Sequence, residues 1–167
     1  MPKIILISST TNHNLKLAEL LAPIADQAGF ESEIIVLPQL DLPLYTPEAE
    51  DNGTPSAAVE LVEKLTDADA LVLLAPEYNG SIPPVVTNAI AWMSRATEDW
   101  REAFNGKFAI VGTHSGGGGF KVVEAMRSQL THLGMIVLAR TFTTNFQKQQ
   151  NPDSAKAIFE QLASLLK

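Results

Sequence analysis

Residues 71–95 read LVLLAPEYNGSIPPVVTNAIAWMSR, and this stretch decides how the fold is interpreted. The apolar run at its start predicts a strand that is buried on both faces. The run ends in a polar loop in which Glu77, Tyr78 and Asn79 stand side by side. An apolar helical pattern follows over residues 82–95 and carries no charged side chain before its last residue. This order predicts a strand–loop–helix unit whose loop faces a ligand.

Five short apolar runs rich in β-branched residues divide the chain, and they are continuous rather than alternating in polarity. Such runs predict parallel strands buried on both faces. They lie at residues 3–7, 33–37, 70–74, 108–111 and 135–138. Helical patterns follow them at residues 15–25, 54–65, 82–95, 122–133 and 155–166. Parallel strands need right-handed crossovers, so the order predicts an α/β fold in a single domain over residues 1–167. The expected architecture is a flavodoxin-like, doubly wound, three-layer α/β/α sandwich with a five-stranded parallel sheet in the order 2-1-3-4-5.

The composition narrows the possible functions. A formal net charge of −7 argues against a nucleic-acid or anionic-membrane surface, because both need an excess of Lys and Arg. The chain has no cysteine, and its three histidines lack metal-ligand spacing, so we expect no disulfide and no metal site. The N-terminus is interpreted as a strand and not a signal peptide, and no apolar run approaches the length of a membrane span. We therefore expect a cytoplasmic protein without nucleic-acid or membrane partners.

Three connections match neither pattern. Residues 38–53 are rich in Pro, Asp and Glu and predict a surface loop. Residues 97–106 contain Trp100 and Phe104, whose rings we expect to fold back onto the body of the protein. Residues 139–150 are assigned to no element.

The loop after the first strand predicts an anion site. Ligands of open α/β sheets bind beyond the carboxyl ends of the strands where the strand order reverses, here at strands 1, 3 and 4. Hydroxyl, amide and imidazole side chains fill the loop from Ser8 to Asn14, directly before a helix. Free N–H groups and the helix dipole there suit a phosphate, whereas simple N-capping needs only one such residue. No Gly-x-Gly-x-x-Gly follows the strand, so the pattern is not a Rossmann fingerprint.

The loop after the fourth strand, residues 112–119, ends in four consecutive glycines. Glycines let the backbone approach a flat ligand or an anion closely, although a flexible turn is the alternative. The loop is not a Walker A motif. Ser115 half-matches a nucleophile elbow, but Thr113 stands where the elbow needs Gly. Together the three loops predict a site for a small, planar, phosphorylated cofactor, and one anion cradle favours a mononucleotide.

Two segments carry a resemblance to a known family. APEYNGSIPPVVTNAIAW, residues 75–92, resembles the Pro-Glu-Tyr-Asn-Gly-Ser-Ile-Pro-Gly segment and the following Asn-Ala-Ile-x-Trp helix of the NADPH-dependent FMN reductase family. This family includes quinone, chromate and azo-dye reductases of flavodoxin-like fold. GTHSGGGGFKVVEAMRSQLTHLGM, residues 112–135, is similar to the family's Ser/Gly-rich loop and Arg-x-x-Leu helix. The resemblance covers residues 3 to about 138.

The resemblance implies FMN as the cofactor. The residues that would line the isoalloxazine are Pro76, Glu77, Tyr78 and Asn79. Those that would close the other side of the ring and its ribityl chain are Ser115, Gly116, Gly117 and Gly118. The phosphate would lie on Ser9, Thr10, Thr11, Asn14 and the Leu15 N–H. Asn14 matches the phosphate loop of many members, but their Arg is absent, so the loop is also similar to that of flavodoxins.

The helix over residues 82–95 predicts a subunit contact. Thr87, Ala91 and Ser94 are small and weakly polar where a solvent-facing helix normally carries Lys or Glu. This face, from Ile82 to Arg95, predicts an isologous homodimer, or a tetramer built from it. The alternative is a helix covered by its own chain, for example by the two rings of the connection at residues 97–106.

The implied function is that of an NAD(P)H-dependent oxidoreductase in which FMN, and no side chain, carries the chemistry. NADPH or NADH would give a hydride to flavin N5 and leave. A small-molecule electron acceptor, such as a quinone, a free flavin, an azo compound or a metal oxyanion, would then bind, in a ping-pong cycle. Glu77 is either an acid–base group or a residue that holds the loop or a partner subunit. Two alternatives are a flavodoxin-type electron carrier without NAD(P)H turnover and a hydrolase with Ser115 as nucleophile.

Overall fold

One parallel sheet organises the molecule. The computed structural model describes residues 1–167, and its strands follow the order β2-β1-β3-β4-β5, with β6 also paired to β4. Every strand pairing is parallel. The strands are β1 (Lys3–Ser8), β2 (Glu31–Val36), β3 (Ala70–Leu74), β4 (Phe108–His114), β5 (Ile136–Val137) and β6 (Phe142–Thr144). The order confirms the predicted doubly wound, flavodoxin-like topology.

Helices cover both faces of the sheet. They are α1 (His13–Gln27), α2 (Pro47–Glu50), α3 (Ser56–Asp67), α4 (Pro84–Met93), α5 (Phe120–His132) and α6 (Pro152–Leu165). Ile5 and Leu73 point to the core under α3, α4 and α5, whereas Leu6 and Val72 point to the core under α1 and α6. Successive strand residues alternate between faces, so two cores and three layers result. None of the helices combines the length and apolarity needed to cross a membrane.

The edge of the sheet beyond β4 differs in detail from the sequence prediction. Residues 135–138 were expected to form one strand, but β5 covers only Ile136–Val137, and β6 continues the edge along the far end of β4. Between the two, the Arg127 guanidinium donates to the carbonyl oxygens of residues 137–139. Because a side chain satisfies these carbonyls, the chain can leave the sheet and return as β6. Part of the unassigned segment 139–150 is therefore a strand.

Two connections also carry more structure than expected. The predicted surface loop at residues 38–53 begins inside a 3₁₀ turn, Leu37–Leu40, and contains α2. Of the two rings expected to fold back, Phe104 is buried in the core, but Trp100 keeps 40% of its surface exposed. The Arg101 guanidinium lies over the Trp100 ring, 4.3 Å from its centroid. The Trp100 ring also lies 6.1 Å from the His132 ring of α5, so the indole folds back onto the body but stays partly exposed.

One face of α4 is covered by its own chain. The Trp92 indole N–H donates to the Pro43 carbonyl at 2.7 Å, and the Asn88 amide donates to the same oxygen at 3.0 Å. The Tyr45 ring packs edge-on against Trp92, with centroids 5.2 Å apart. Residues 43–45, and not Trp100, supply this cover. Thr87 stays exposed on the neighbouring face.

Candidate active site

The carboxyl ends of β1, β3 and β4 lie level at one edge of the sheet. Ser8 is in register with Leu74, and Leu74 is in register with Gly112. Beyond the strands, the Ser9 N–H donates to the Leu74 carbonyl at 3.0 Å, and the Ala75 N–H donates to the Gly112 carbonyl at 3.1 Å. The three unusual loops of the sequence therefore start from adjacent points, as the topology predicted.

The first loop holds polar groups that have no partner in the chain. Ser9 Oγ and Thr10 Oγ1 are buried without a hydrogen bond, although buried polar atoms are normally paired. Beside them, the N–H groups of Asn14 and Leu15 at the start of α1 donate to no acceptor. Buried hydroxyls and free N–H groups at a helix N-terminus form a donor set suited to a phosphate. These residues fit the phosphate of a mononucleotide.

Asn14 joins the first loop to the third. Its side chain is buried, its amide nitrogen donates to the His114 carbonyl at 3.0 Å, and its amide oxygen accepts from the His114 N–H at 2.8 Å. One N–H of the amide is left for a ligand, since a carboxamide has two. Thr11 in the same loop is exposed. Contact of Asn14 and Thr11 with a phosphate stays a prediction. The two hydrogen bonds to His114 show that Asn14 joins the first loop to the third.

The second loop makes a tight turn that leaves the side chains of Tyr78 and Asn79 exposed. Tyr78 and Ser81 exchange backbone hydrogen bonds of 3.1 and 3.0 Å. Between them, Asn79 and Gly80 have φ values of +50° and +76°. A two-residue turn with positive φ at both positions is type I′, which the Asn-Gly pair favours. The turn leaves the Tyr78 ring 49% exposed at the sheet edge, where it is available to a planar ligand.

Glu77 holds the second loop against the third. Its carboxylate accepts from the N–H groups of Lys121 at 3.1 Å and Val122 at 3.3 Å, in the first turn of α5. Its own N–H donates to Ser115 Oγ at 2.8 Å. A negative charge there is stabilised by the helix dipole. These contacts favour the interpretation that Glu77 holds the loops rather than acting as an acid or base.

Ser115 lacks the partners of a nucleophile. Its hydroxyl is buried, lies 2.6 Å from Thr113 Oγ1, and accepts from the Glu77 N–H. The neighbouring imidazole of His114 instead contacts Thr144 Oγ1 at 3.1 Å. No base reaches Ser115, which removes the support for the hydrolase alternative. The three glycines that follow, residues 116–118, are exposed, and a Cβ on any of them would meet nothing within 4 Å.

An aromatic cluster beside the first loop was not foreseen from the sequence. The rings of His13 and His114 stack with centroids 4.7 Å apart, and Phe146 packs edge-on against both, at 5.2 and 5.1 Å. Burial, and secondly the charge of His13, lower the pKa of His114. The three residues come from α1, β4 and the segment after β6, so only the fold brings them together. The available signal was Phe146, one of two phenylalanines in the unassigned segment 139–150.

A family model for NADPH-dependent FMN reductases matches residues 2–149 of this chain. The chain belongs to this family. Among curated proteins, the chain is similar to a quinone reductase of Escherichia coli K12, with 34% identity over 110 residues that span 64% of this chain and 57% of that protein. It is also similar to a 2-hydroxy-1,4-benzoquinone reductase of a Burkholderia species, with 32% identity over 75% of this chain and 66% of that protein.

Solved structures share the fold of this member of the FMN reductase family. A flavoenzyme NAD(P)H:(acceptor) oxidoreductase of Paracoccus denitrificans superposes with a TM-score of 0.76 at 21% identity, covering 99% of this chain and 96% of that one. An archaeal flavodoxin superposes with a TM-score of 0.69 at 13% identity, covering 99% of both chains. At these identities the likeness concerns the fold alone.

Membership in the NADPH-dependent FMN reductase family confirms the family that the sequence resemblance indicated. The chain spans 57% and 66% of the lengths of the two curated relatives described above. The residues predicted to contact FMN lie in the three loops at the sheet edge or, for Asn14 and Leu15, in the first turn of α1. The unpartnered Ser9 and Thr10 hydroxyls fit its phosphate, and the exposed turn and glycines leave room for its ring. Each individual contact stays a prediction.

Proposed function

We propose that this chain is an NAD(P)H-dependent FMN oxidoreductase that reduces a small acceptor of the quinone type. The supporting observation is the pair of buried, unpartnered hydroxyls of Ser9 and Thr10 beside two free N–H groups of α1. A buried hydroxyl without a partner costs stability, so its presence points to a ligand that completes it. A phosphate supplies the acceptor oxygens for this donor set.

The chain's own residues would bind and orient the cofactor. The first loop and the start of α1 would hold the phosphate, with Ser9, Thr10 and Thr11 as hydroxyl donors and Asn14 and Leu15 as N–H donors. The second loop, from Pro76 to Asn79, and the third loop, from Ser115 to Gly118, would flank the ring. Bound FMN would supply the two-electron chemistry at its N5 atom. Glu77 would act indirectly, by fixing the distance between the two ring-flanking loops.

The order of events follows from the open side of the site. Tyr78 and Asn79 are exposed, and residues 116–118 have no neighbour above them, so one side of the ring would stay accessible. A nicotinamide nucleotide and an acceptor would use this side in turn, which makes the kinetics ping-pong. The two relatives described above are named for quinones, and this favours a quinone over the other acceptors considered: free flavins, azo compounds and metal oxyanions.

Two measurements test this function. Purified protein loaded with FMN should show the oxidised flavin spectrum after desalting, and should oxidise NADPH or NADH with a benzoquinone as acceptor. Initial rates at several fixed quinone concentrations should give parallel double-reciprocal lines. Retained flavin without nucleotide oxidation would contradict the reductase and favour the electron carrier, whose fold is the same. Loss of FMN on desalting at micromolar protein would contradict both.

A further inference from the structure

A second cavity lies on the other side of the first turn of α1, next to the phosphate loop. Its volume is about 210 Å³. It lies between α1 and the segment from β6 to α6, and we call it the α1–β6 cavity. Its walls are His13, Lys16, Leu17, Leu20, His114, Thr144, Phe146, Gln149 and Gln150. No function described so far uses it.

The charge of this cavity is opposite to that of the whole chain. The only titratable groups in its walls are His13, Lys16 and His114, and no carboxylate lines it. The chain as a whole carries a net charge of −7. A wall of bases without acids in an acidic protein attracts an anion rather than a cation. The amides of Gln149 and Gln150 add neutral hydrogen-bonding groups.

One atom in the wall also lacks a partner. Thr144 Oγ1 donates to the Thr113 carbonyl at 3.0 Å, so it accepts from the Nδ1–H of His114 at 3.1 Å. The other ring nitrogen of His114, Nε2, is buried without a hydrogen bond. When protonated it becomes a buried donor that needs an acceptor oxygen, and when neutral it accepts from a hydroxyl. A phosphate ester on a sugar provides both groups.

Arginine commonly binds the 2′-phosphate of a nicotinamide nucleotide, but the chain's four arginines are engaged elsewhere. Arg95 contacts the Tyr45 hydroxyl, and Arg101 stacks on Trp100. Arg127 binds the carbonyls of residues 137–139, and Arg140 binds Ser154. None of them lines the α1–β6 cavity.

We propose that the α1–β6 cavity binds the adenosine 2′-phosphate end of NADPH and gives this chain a preference for NADPH over NADH. The inference rests on the proposed function, since it adds a subsite for the same reductant. Lys16 and the two histidines face the phosphate. The Phe146 ring, 65% exposed at the mouth, offers a surface on which the adenine stacks. The cavity holds the 2′-phosphate and the ribose, and the adenine lies on the Phe146 ring at its mouth.

The direct test uses a fragment that carries no nicotinamide. FMN-loaded protein is titrated by calorimetry with adenosine 2′,5′-bisphosphate, 5′-AMP and inorganic phosphate. The bisphosphate should bind about tenfold or more tightly than either of the others, because charge-assisted hydrogen bonds form only with the 2′-phosphate. Equal affinity for the bisphosphate and 5′-AMP would overturn the proposal. Inorganic phosphate binding as tightly as the bisphosphate would reduce the cavity to a simple anion site and overturn it equally.

Matched variants assign the effect to the cavity. Lys16→Gln and His13→Gln should each weaken the bisphosphate about tenfold, whereas Lys148→Gln, outside the walls, should leave its affinity unchanged. An equal loss in Lys148→Gln and Lys16→Gln would refute the assignment.

Turnover separates this inference from the proposed function. Lys16→Gln should lower kcat/KM for NADPH about tenfold and leave that for NADH unchanged, with the flavin spectrum intact. An equal loss for both nucleotides would contradict the subsite. A protein that oxidises neither nucleotide would refute the proposed function, and the bisphosphate titration would still decide what the cavity binds.

Discussion

At the scale of single residues, substitutions of the unpartnered hydroxyls of Ser9 and Thr10 should change FMN affinity without lowering the stability of the fold. Replacing them, as in Ser9→Ala and Thr10→Val, removes buried polar groups that gain nothing in the free protein. The free energy of unfolding of the FMN-free protein should therefore stay within about 0.5 kcal/mol of wild type or rise. FMN affinity should fall about tenfold or more per substitution, because each hydroxyl loses a bond to a charged phosphate.

Urea unfolding and fluorescence titration with FMN measure the two quantities. Thr131→Val, at an exposed position of α5, is the control and should change neither. A variant that loses stability but keeps its FMN affinity would show that the hydroxyls serve the fold and not the phosphate.

Glu77 is expected to act through helix α5. Glu77→Ala removes the carboxylate that accepts from the N–H groups of Lys121 and Val122, and should lower the free energy of unfolding by about 1 kcal/mol, as for other lost helix caps. Glu77→Gln keeps an acceptor but loses the charge, so its cost should be smaller, about 0.5 kcal/mol. Chemical denaturation gives the ranking, with Glu19→Ala on the exposed face of α1 as control. Equal stability of Glu77→Ala and wild type would contradict the cap.

Residue patterns predicted the site where local chemistry sufficed. Seven polar residues before a helix and an Asn-Gly pair after a strand each have one local explanation, and the structure places both at the sheet edge. The contact of Glu77 with α5 spans 44 positions, and the stacking of His13 on His114 spans 101. Such pairs depend on the register of β1, β3 and β4, which no local pattern encodes.

At the scale of elements, β4 is held closely on both sides. A Cβ on Gly112 would lie 2.7 Å from Leu74 Cδ2 in β3 and 2.8 Å from the Phe142 carbonyl in β6. Gly112→Ala should therefore push β3 and β6 away from β4 and lower the free energy of unfolding by about 1–3 kcal/mol, the usual cost of overpacking.

Thermal or urea unfolding measures this cost, and Gly117→Ala is the control because a Cβ there meets nothing within 4 Å. FMN affinity of Gly112→Ala should fall as well, since the loops after β3 and β4 start at this point. A Gly112→Ala protein as stable as Gly117→Ala would show that β6 can move away from β4 without loss of stability.

Elements were predictable where periodicity was strong and uninterrupted. The central strands β1, β3 and β4 and the long helices matched the apolar runs and helical patterns of the sequence. The fifth strand was predicted in the right place but two residues too long, and β6 was not predicted. Arg127, ten residues before Val137 in the chain, binds the carbonyls of residues 137–139, so the chain leaves the sheet there. The cover of α4 by residues 43–45 also depends on a long connection whose composition resembles any surface loop.

At the scale of the whole molecule, α4 links the cofactor site to the predicted subunit contact. The helix begins just after the turn that presents Tyr78, so a partner subunit on α4 would also border the ring. Trp92 is fully buried in its own chain and contacts Pro43 and Tyr45, so changing it would disturb the fold rather than assembly alone. Thr87 is exposed, and its hydroxyl bonds only to the Pro84 carbonyl of its own helix.

Thr87 is therefore the position at which to test the homodimer. Light scattering of the wild-type protein at micromolar concentration should give twice the mass of the chain, because a face of small residues lets two helices approach closely. Thr87→Arg places a charge where the two-fold axis would pair it with its own copy, and should give a monomer that retains FMN less well. Gln161→Arg, an equal charge change on the exposed face of α6, should stay dimeric and keep FMN. A monomeric wild type would reject the predicted contact. A monomeric Thr87→Arg variant with unchanged FMN affinity would support the dimer but show that FMN binding does not depend on it.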